Sequence, residues 1–181
     1  ESKVKNVFEE EKKVNELQKN ILNYLLKLSK SNLSHDGIES IDRLFNTIND
    51  IERVGDHAEN IAELAESIIN NNLNMSKEAS QELLEMFNKV LKTYTCALES
   101  LEKGDIDLAC KVIKMEEQVD MMEKTYRKSH MKRLNDGLCS IDTGVVYLDI
   151  ISNLERVSDH SVNIATQVIT SNKAVNESVI V

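Results

Sequence analysis

The chain has 181 residues, with no proline, five glycines and 4% aromatic residues, a composition that favours long uninterrupted helices over a β-sheet protein. Its formal net charge of −9 argues against a nucleic-acid-binding role, because such binding depends on basic residues at phosphates. The same charge disfavours adhesion to an anionic membrane, and the three cysteines form no Cys-x-x-Cys pair that would indicate a zinc site.

Apolar periodicity predicts five helices. They cover residues 4–30, 36–71, 76–103, 105–135 and 140–170. Ser76 is a suitable N-cap for the third helix, and Gly104 a suitable stop, because serine caps helix N-termini and glycine commonly ends helices. Residues 171–181 have no evident partner and are expected to form a fraying tail.

One stretch of the second helix recurs in the fifth. Residues 48–62 reappear 103 positions later, at 151–165, with nine of the 15 aligned residues identical, against about one expected by chance. Both copies read Glu-Arg-Val-x-Asp-His-x-x-Asn-Ile-Ala. A duplicated motif of this length indicates an internal repeat.

The repeat extends to the helix that precedes each copy and predicts an all-α fold of two tandem antiparallel three-helix bundles. Residues 11–15, Glu-Lys-Lys-Val-Asn, align with residues 116–120, Glu-Glu-Gln-Val-Asp. The second repeat, residues 76–170, then has three helices, whereas the first, residues 1–72, has two and lacks its first helix. The apolar groove left by that helix predicts that the chain forms a homodimer or exchanges helices.

A helical wheel divides each copy of the motif into three faces. The apolar face is expected to lie in the core; it comprises Ile51, Val54, Ala58, Ile61, Ala62 and Ala65, and in the second copy Leu154, Val157, Ser161, Ile164, Ala165 and Val168. A second face carries acidic residues four positions apart, which are neighbours on a helix. These pairs are Glu52 with Asp56, Glu155 with Asp159, and a third pair on the fourth helix, Glu116 with Asp120.

The acidic pairs are candidate metal ligands. Like charges at this spacing weaken a helix by a few tenths of a kcal/mol, and a divalent cation between them would reverse that cost. Hard oxygen ligands suit iron, manganese or magnesium better than copper. The alternative, a solvated acidic face with arginine neighbours, stays open.

The third face is basic and polar. It comprises Arg53, His57 and Asn60, and in the second copy Arg156, His160 and Asn163. These side chains either support metal-bound carboxylates through hydrogen bonds, grip an anion, or tie adjacent helices together. We favour the last interpretation. Neither histidine shares a wheel face with the acidic pair, so direct metal ligation by His57 or His160 is disfavoured.

The motif resembles the signature of the PhoU family, bacterial regulators of phosphate uptake, and residues 103–109 with Glu116 and Asp120 resemble that family's preceding helices. The resemblance implies two three-helix bundles and, in some members, iron- or zinc-type metal clusters on a concave surface. Carried across, the implied ligands are Glu52, Asp56, Glu116, Asp120, Glu155 and Asp159. Glu11 also matches, but Asn15 stands where the family has aspartate, which leaves the site of the first copy without one of its acids.

Residues 24–29 and 32–34 also resemble the C-terminal PhoU-like region of bacterial Na⁺/phosphate cotransporters, which follows the membrane helices and lies in the cytosol. Our first hypothesis is therefore a non-catalytic regulatory domain, the tail of a Na⁺/phosphate symporter at the cytoplasmic face of the membrane. Its partner would be the membrane part of the same chain. The expected cofactor is iron, zinc or another divalent cation.

Two other functions are weighed against the symporter tail. The alternative is a stand-alone PhoU-type regulator that links a phosphate transporter to a sensor kinase. A carboxylate-bridged metalloenzyme of the ferritin-like kind is disfavoured, because those sites use Glu-x-x-His pairs that face a four-helix core. Here histidine directly follows aspartate, and the acids lie off the apolar face.

Overall fold

The computed structural model describes the backbone of residues 2–178 and the side chains of residues 3–171. Five helices form this part of the chain: α1 (Ser2–Leu28), α2 (His35–Asn70), α3 (Lys77–Lys103), α4 (Ile106–Asn135) and α5 (Ile141–Ser178). The described residues contain no strand, so the predicted all-α fold is confirmed. None of these helices combines the length and the apolar character that a membrane crossing requires.

Most helices begin and end close to the predicted residues, because capping residues there form the expected hydrogen bonds or turns. The Ser76 hydroxyl accepts a hydrogen bond of 3.1 Å from the Ala79 amide, and the Asp105 carboxylate accepts one of 2.9 Å from Leu108. Gly104 ends α3 with φ of 64°, a left-handed conformation that glycine adopts without steric cost.

The end of the last helix differs from the prediction. Helix α5 continues to Ser178, eight residues beyond the predicted end near 170. No glycine or proline interrupts residues 171–178, so the backbone meets no local signal to leave the helix. The remainder of the predicted tail, residues 179–181, lies outside the described residues.

The helices are arranged in two groups that meet at the motif helices. Helices α3, α4 and α5 all pack against one another, α1 packs against α2, and α2 packs against α5. The two copies of the motif therefore lie side by side. The division of the chain into repeats 1–72 and 76–170 stays a prediction, with which this packing agrees.

The apolar faces of the two motif copies are buried to different extents. In α5 the whole predicted face is buried, with Ile164 and Ala165 fully inaccessible. Of the predicted apolar face in α2, only Val54 and Ala62 are buried, and Ala58 is exposed. The reason is that α3 and α4 both cover α5, whereas α1 and α5 leave part of α2 open.

An apolar groove of about 430 Å³ runs along the open part of α2. Its walls come from α1, α2, α3 and α5, and they include Val7, Ala58, Ile61, Phe87 and Leu154. The groove agrees with the prediction of an open apolar surface in the first repeat.

Candidate functional site

Three acidic side chains from two helices come together in the second half of the chain. Glu116 and Asp120 belong to α4, and Asp159 belongs to α5. One carboxylate oxygen of each lies within 4.8 Å of the others, and all three side chains are half-buried. The four-residue spacing on α4 and the packing of α4 against α5 thus unite three of the six predicted ligands. We call this group the acidic cluster.

Buried neighbours hold the acidic cluster at the seam between α4 and α5. Val119 is fully buried beside Asp120, and Ser158 is fully buried beside Asp159. Each acid therefore begins at the edge of the core, where its side chain can reach water only on one side. Such a position concentrates negative charge without placing it in the apolar interior.

Burial and the charges of neighbouring carboxylates disfavour the charged forms of Glu116, Asp159 and Glu155. Burial raises the pKa of Glu116, and the charges of Asp120 and Asp159 raise it further. Burial also raises the pKa of Asp159, with the charge of Asp120 as the second cause. Burial also raises the pKa of Glu155, and the charge of Asp159 raises it further. Glu155 is therefore electrostatically coupled to the acidic cluster, although it is not one of its three members.

Basic side chains offset part of this repulsion: Arg156, His160 and His57 lower the pKa of Asp159, and two ion pairs lie at the exposed rim. The Lys124 ammonium lies 3.0 Å from Asp120, and its side chain is 73% exposed. The Arg156 Nε atom lies 4.0 Å from Glu155, and that side chain is 63% exposed. Exposed ion pairs of this kind contribute about 0–1 kcal/mol, so a bound cation would find much of the negative charge still available.

The first motif copy does not form an equivalent cluster. Among the described residues, no group of three acidic, histidine or cysteine side chains at ligand spacing includes Glu52 or Asp56. Instead, the Arg53 guanidinium donates a hydrogen bond of 3.3 Å to Asp56 on its own helix. The predicted ligands Glu52 and Asp56 thus have no third carboxylate at ligand distance among the described residues.

The histidines of the motif lie at the contact between α2 and α5. His160 Nδ1 lies 2.8 Å from the Asp50 carboxylate, and His57 Nδ1 lies 2.9 Å from the Asn153 side-chain oxygen. The two imidazole rings stack with their centroids 5.6 Å apart. Because neither Asp50 nor Asn153 can donate from the oxygen concerned, each histidine donates from Nδ1.

The asparagines of the motif reinforce the same contact. Asn163 donates a hydrogen bond of 2.9 Å to Asp50, and Asn60 donates one of 3.3 Å to Asn153. Each of these acceptors is thus shared by a histidine and an asparagine of the opposite helix. These bonds tie adjacent helices together, as we expected of this face, whereas Arg53 and Arg156 form ion pairs with acids of their own helices.

Sequence reasoning missed the two acceptors of this contact. Asp50 and Asn153 occupy aligned positions of the two motif copies, two residues before the Glu-Arg pair. Both residue types offer a side-chain oxygen, which was a usable signal. Which helix that oxygen would meet depended on the packing of α2 against α5, and one helical wheel does not contain that information.

Comparisons with known proteins point to one family. The PhoU domain family matches residues 1–65 and 83–168. A relative from Thermotoga maritima, "Phosphate-specific transport system accessory protein PhoU homolog 1", is 36% identical over 121 residues, or 67% of this chain and 51% of the relative. A PhoU homolog from Clostridium acetobutylicum, named for the same transport system, is 23% identical over 86% of this chain and 71% of its own length. The chain thus spans about half the length of the Thermotoga relative.

Solved structures share the fold. PhoU from Pseudomonas aeruginosa superposes with a TM-score of 0.87 at 24% identity, over 94% of this chain and 81% of that chain. The phosphate transport system regulatory protein PhoU from Streptococcus pneumoniae gives 0.81 at 22% identity, over 94% and 79%. The fold, the duplicated motif and the match over most of the sequence agree, and the chain belongs to the PhoU family.

Proposed function

We propose that the chain acts as a PhoU-type regulator of a phosphate transport system, as a protein separate from the transporter. The observation that carries this proposal is the family match over residues 1–65 and 83–168, joined to relatives that are named as accessory proteins of phosphate-specific transport. Its partner is then a phosphate transporter, at whose cytoplasmic face the chain would act. No catalytic step is part of this role.

The symporter-tail hypothesis gains no support from these relatives, and the alternative hypothesis replaces it. The relatives are accessory proteins of phosphate-specific transport systems, and none of those compared is a Na⁺/phosphate cotransporter. The reading frame upstream of Glu1 distinguishes the two hypotheses. Several hydrophobic spans joined to this chain would overturn the proposal of a separate regulator, whereas a single amphipathic helix would agree with it.

The acidic cluster is the part of the molecule that we propose to bind a divalent cation. Metal–oxygen bonds of about 2.0–2.2 Å keep the ligands of one ion within about 4.4 Å of each other. The carboxylate oxygens of Glu116, Asp120 and Asp159 lie within 4.8 Å of one another. Small side-chain rotations that move these oxygens by well under about 1 Å would therefore bring them to ligand distance around one ion. The raised pKa values of Glu116 and Asp159 reflect burial first and repulsion by neighbouring carboxylates second, and a bound cation would relieve that repulsion.

The chemistry of the donors restricts which cation fits. Three carboxylates form an all-oxygen site, which suits iron, manganese, magnesium or zinc and disfavours copper(I). Glu155 would stay at the edge of this site and add negative charge to it, because its carboxyl is coupled to Asp159. Bound metal would supply positive charge that pins α4 to α5 and so stiffens the second repeat.

Phosphate uptake in cells tests the regulatory role. The chromosomal copy is deleted, and initial uptake of radiolabelled phosphate is measured at high and low external phosphate, with and without the chain supplied in trans. We expect the deletion to change uptake or its response to external phosphate, and the supplied chain to restore it. Unchanged uptake under both conditions would contradict the proposal. Uptake of an unrelated solute, such as an amino acid, is the control.

A further inference from the structure

The two repeats differ at one of the four positions that would surround a cation. Glu11 and Asn15 on α1 align with Glu116 and Asp120 on α4, each 105 positions apart. The motif then supplies an identical pair to each repeat, Glu52 with Asp56 and Glu155 with Asp159. Of these four aligned positions, only the one occupied by Asn15 and Asp120 carries an acid in one repeat and not in the other.

The side chain of Asn15 forms a hydrogen bond with the carboxylate of Glu11, four residues before it on α1. The Asn15 amide nitrogen donates a hydrogen bond to Glu11, and Glu11 is only 7% exposed. A carboxylate can only accept hydrogen bonds, so it fixes the amide with the N–H group towards Glu11. The N–H group, which carries partial positive charge, therefore lies against the Glu11 carboxylate.

The oxygen of the Asn15 side-chain amide receives no hydrogen bond from the described part of the first repeat. The Asn15 side-chain oxygen is buried and has no hydrogen-bond partner among the described residues, and leaving such a group unpaired costs about 1–3 kcal/mol. The amide orientation that places the N–H group on Glu11 is thus the one that leaves the Asn15 oxygen unpaired. Asp56 forms an exposed ion pair with Arg53 at 3.3 Å, comparable to that of Asp120 with Lys124, so this pair does not distinguish the two repeats.

Lack of negative charge is not the reason that the first repeat fails to form a site. Burial raises the pKa of Glu59, and the charges of Glu11, Glu63 and Asp56 raise it further. The region around α1 and α2 is therefore acidic. What it lacks is a third carboxylate within ligand distance, because Asn15 takes the aligned position.

We propose that the chain binds its divalent cation in the second repeat only, and that Asn15 closes the equivalent position in the first. This inference rests on the proposed cation binding by the acidic cluster. It assigns opposite roles to two aligned glutamates: Glu116 is a ligand, whereas Glu11 is a hydrogen-bond acceptor. The first repeat is then a metal-free half beside a metal-responsive half.

A matched pair of variants tests the assignment. Mn²⁺ is titrated into wild-type chain, Glu11→Gln and Glu116→Gln, and free Mn²⁺ is counted by electron paramagnetic resonance. We expect about one ion per chain in the wild type and in Glu11→Gln, and an affinity at least about tenfold weaker in Glu116→Gln, since loss of even an outer partner of a ligand costs 10–100-fold. Two ions per chain, or an equal loss in Glu11→Gln, would overturn the inference.

A gain-of-function variant gives an independent result. Asn15→Asp restores the missing acid, and we expect the stoichiometry to rise to about two Mn²⁺ per chain. If this variant folds, as circular dichroism will show, and still binds one ion, Asn15 is not what closes the first repeat and the inference fails. Absence of Mn²⁺ binding in the wild type is a different failure, because it refutes the proposed cation site itself.

Discussion

Replacing Asp159 with asparagine should change the stability of the chain in opposite directions without and with a divalent cation. The substitution keeps the shape of the side chain and removes one charge from the acidic cluster. Carboxylate oxygens within 4.8 Å repel each other by about 0.9 kcal/mol per pair at the dielectric constant of water and by about 3.5 kcal/mol at an effective value of 20. Because these side chains are half-exposed, the lower part of that range applies.

In the presence of chelator, Asp159→Asn should therefore raise the free energy of unfolding by about 1–2 kcal/mol. For a chain of this length, each kcal/mol corresponds to about 2–4 °C in Tm, so a rise of several degrees is expected. With Mn²⁺ at 100 times its dissociation constant, the wild type gains about 2.7 kcal/mol. The variant lacks a ligand, and we expect its affinity for Mn²⁺ to be about 100-fold weaker. It then gains only about 0.4 kcal/mol at the same Mn²⁺ concentration and becomes the less stable protein.

Thermal unfolding followed by circular dichroism, with chelator and with Mn²⁺, measures both effects. Asp56→Asn is the matched control, because it changes the aligned residue of the first repeat, where Arg53 offsets the charge. We expect that control to leave Tm unchanged or slightly lower, with the same response to Mn²⁺ as the wild type. If Asp159→Asn lowers Tm in chelator, the acidic cluster is held by favourable contacts and the reasoning is refuted.

Three further predictions concern pH, the core and the groove. Burial lowers the pKa of His130 below 6.5, so the unfolded chain binds this proton first and stability falls as pH drops below 6.5. Urea unfolding at pH 7 and 5 should therefore show a smaller loss of unfolding free energy in His130→Gln than in the wild type. An equal loss in the two proteins would contradict this. Ile151→Ala, at a fully buried position, should cost about 2–5 kcal/mol in urea unfolding, and Ile48→Ala, at the aligned half-exposed position, should cost less than half as much; similar costs would mean that the repeats are equally packed. The apolar groove predicts that light scattering will detect a homodimer. The substitution Phe87→Glu in the groove wall should weaken this dimer, whereas Leu84→Glu at an exposed position outside the groove should not. A monomer at every concentration would refute this prediction.

Residue spacing was sufficient to predict the helices and the face on which each motif residue lies. The four-residue spacing of Glu155 and Asp159 placed both on one side of α5, and the apolar stripe through Ile164 is buried as predicted. Such features depend on helix geometry alone. The predicted end near residue 170 was wrong, because no sequence feature there marks whether the helix stops or continues to Ser178.

Contacts between helices were beyond the same reasoning. The grouping of Asp159 with Glu116 and Asp120, rather than with Glu155 alone, depends on how α4 packs against α5. The role of Asp50 as the acceptor for His160 depends on the approach of α2 to α5. The position of Asn15 departs from the family pattern in the sequence, but its hydrogen bond to the buried Glu11 depends on the side-chain conformations of the folded chain.

The most direct test of the proposed cation site is the metal content of the protein as purified. Elemental analysis is carried out on chain prepared without chelator, for the wild type and for the double variant Glu155→Ala/Asp159→Ala. The double variant removes one member of the acidic cluster and the acid coupled to it. We predict close to one divalent metal ion per chain in the wild type and a loss of that metal in the variant. Equal, substoichiometric metal in both proteins would contradict the proposal.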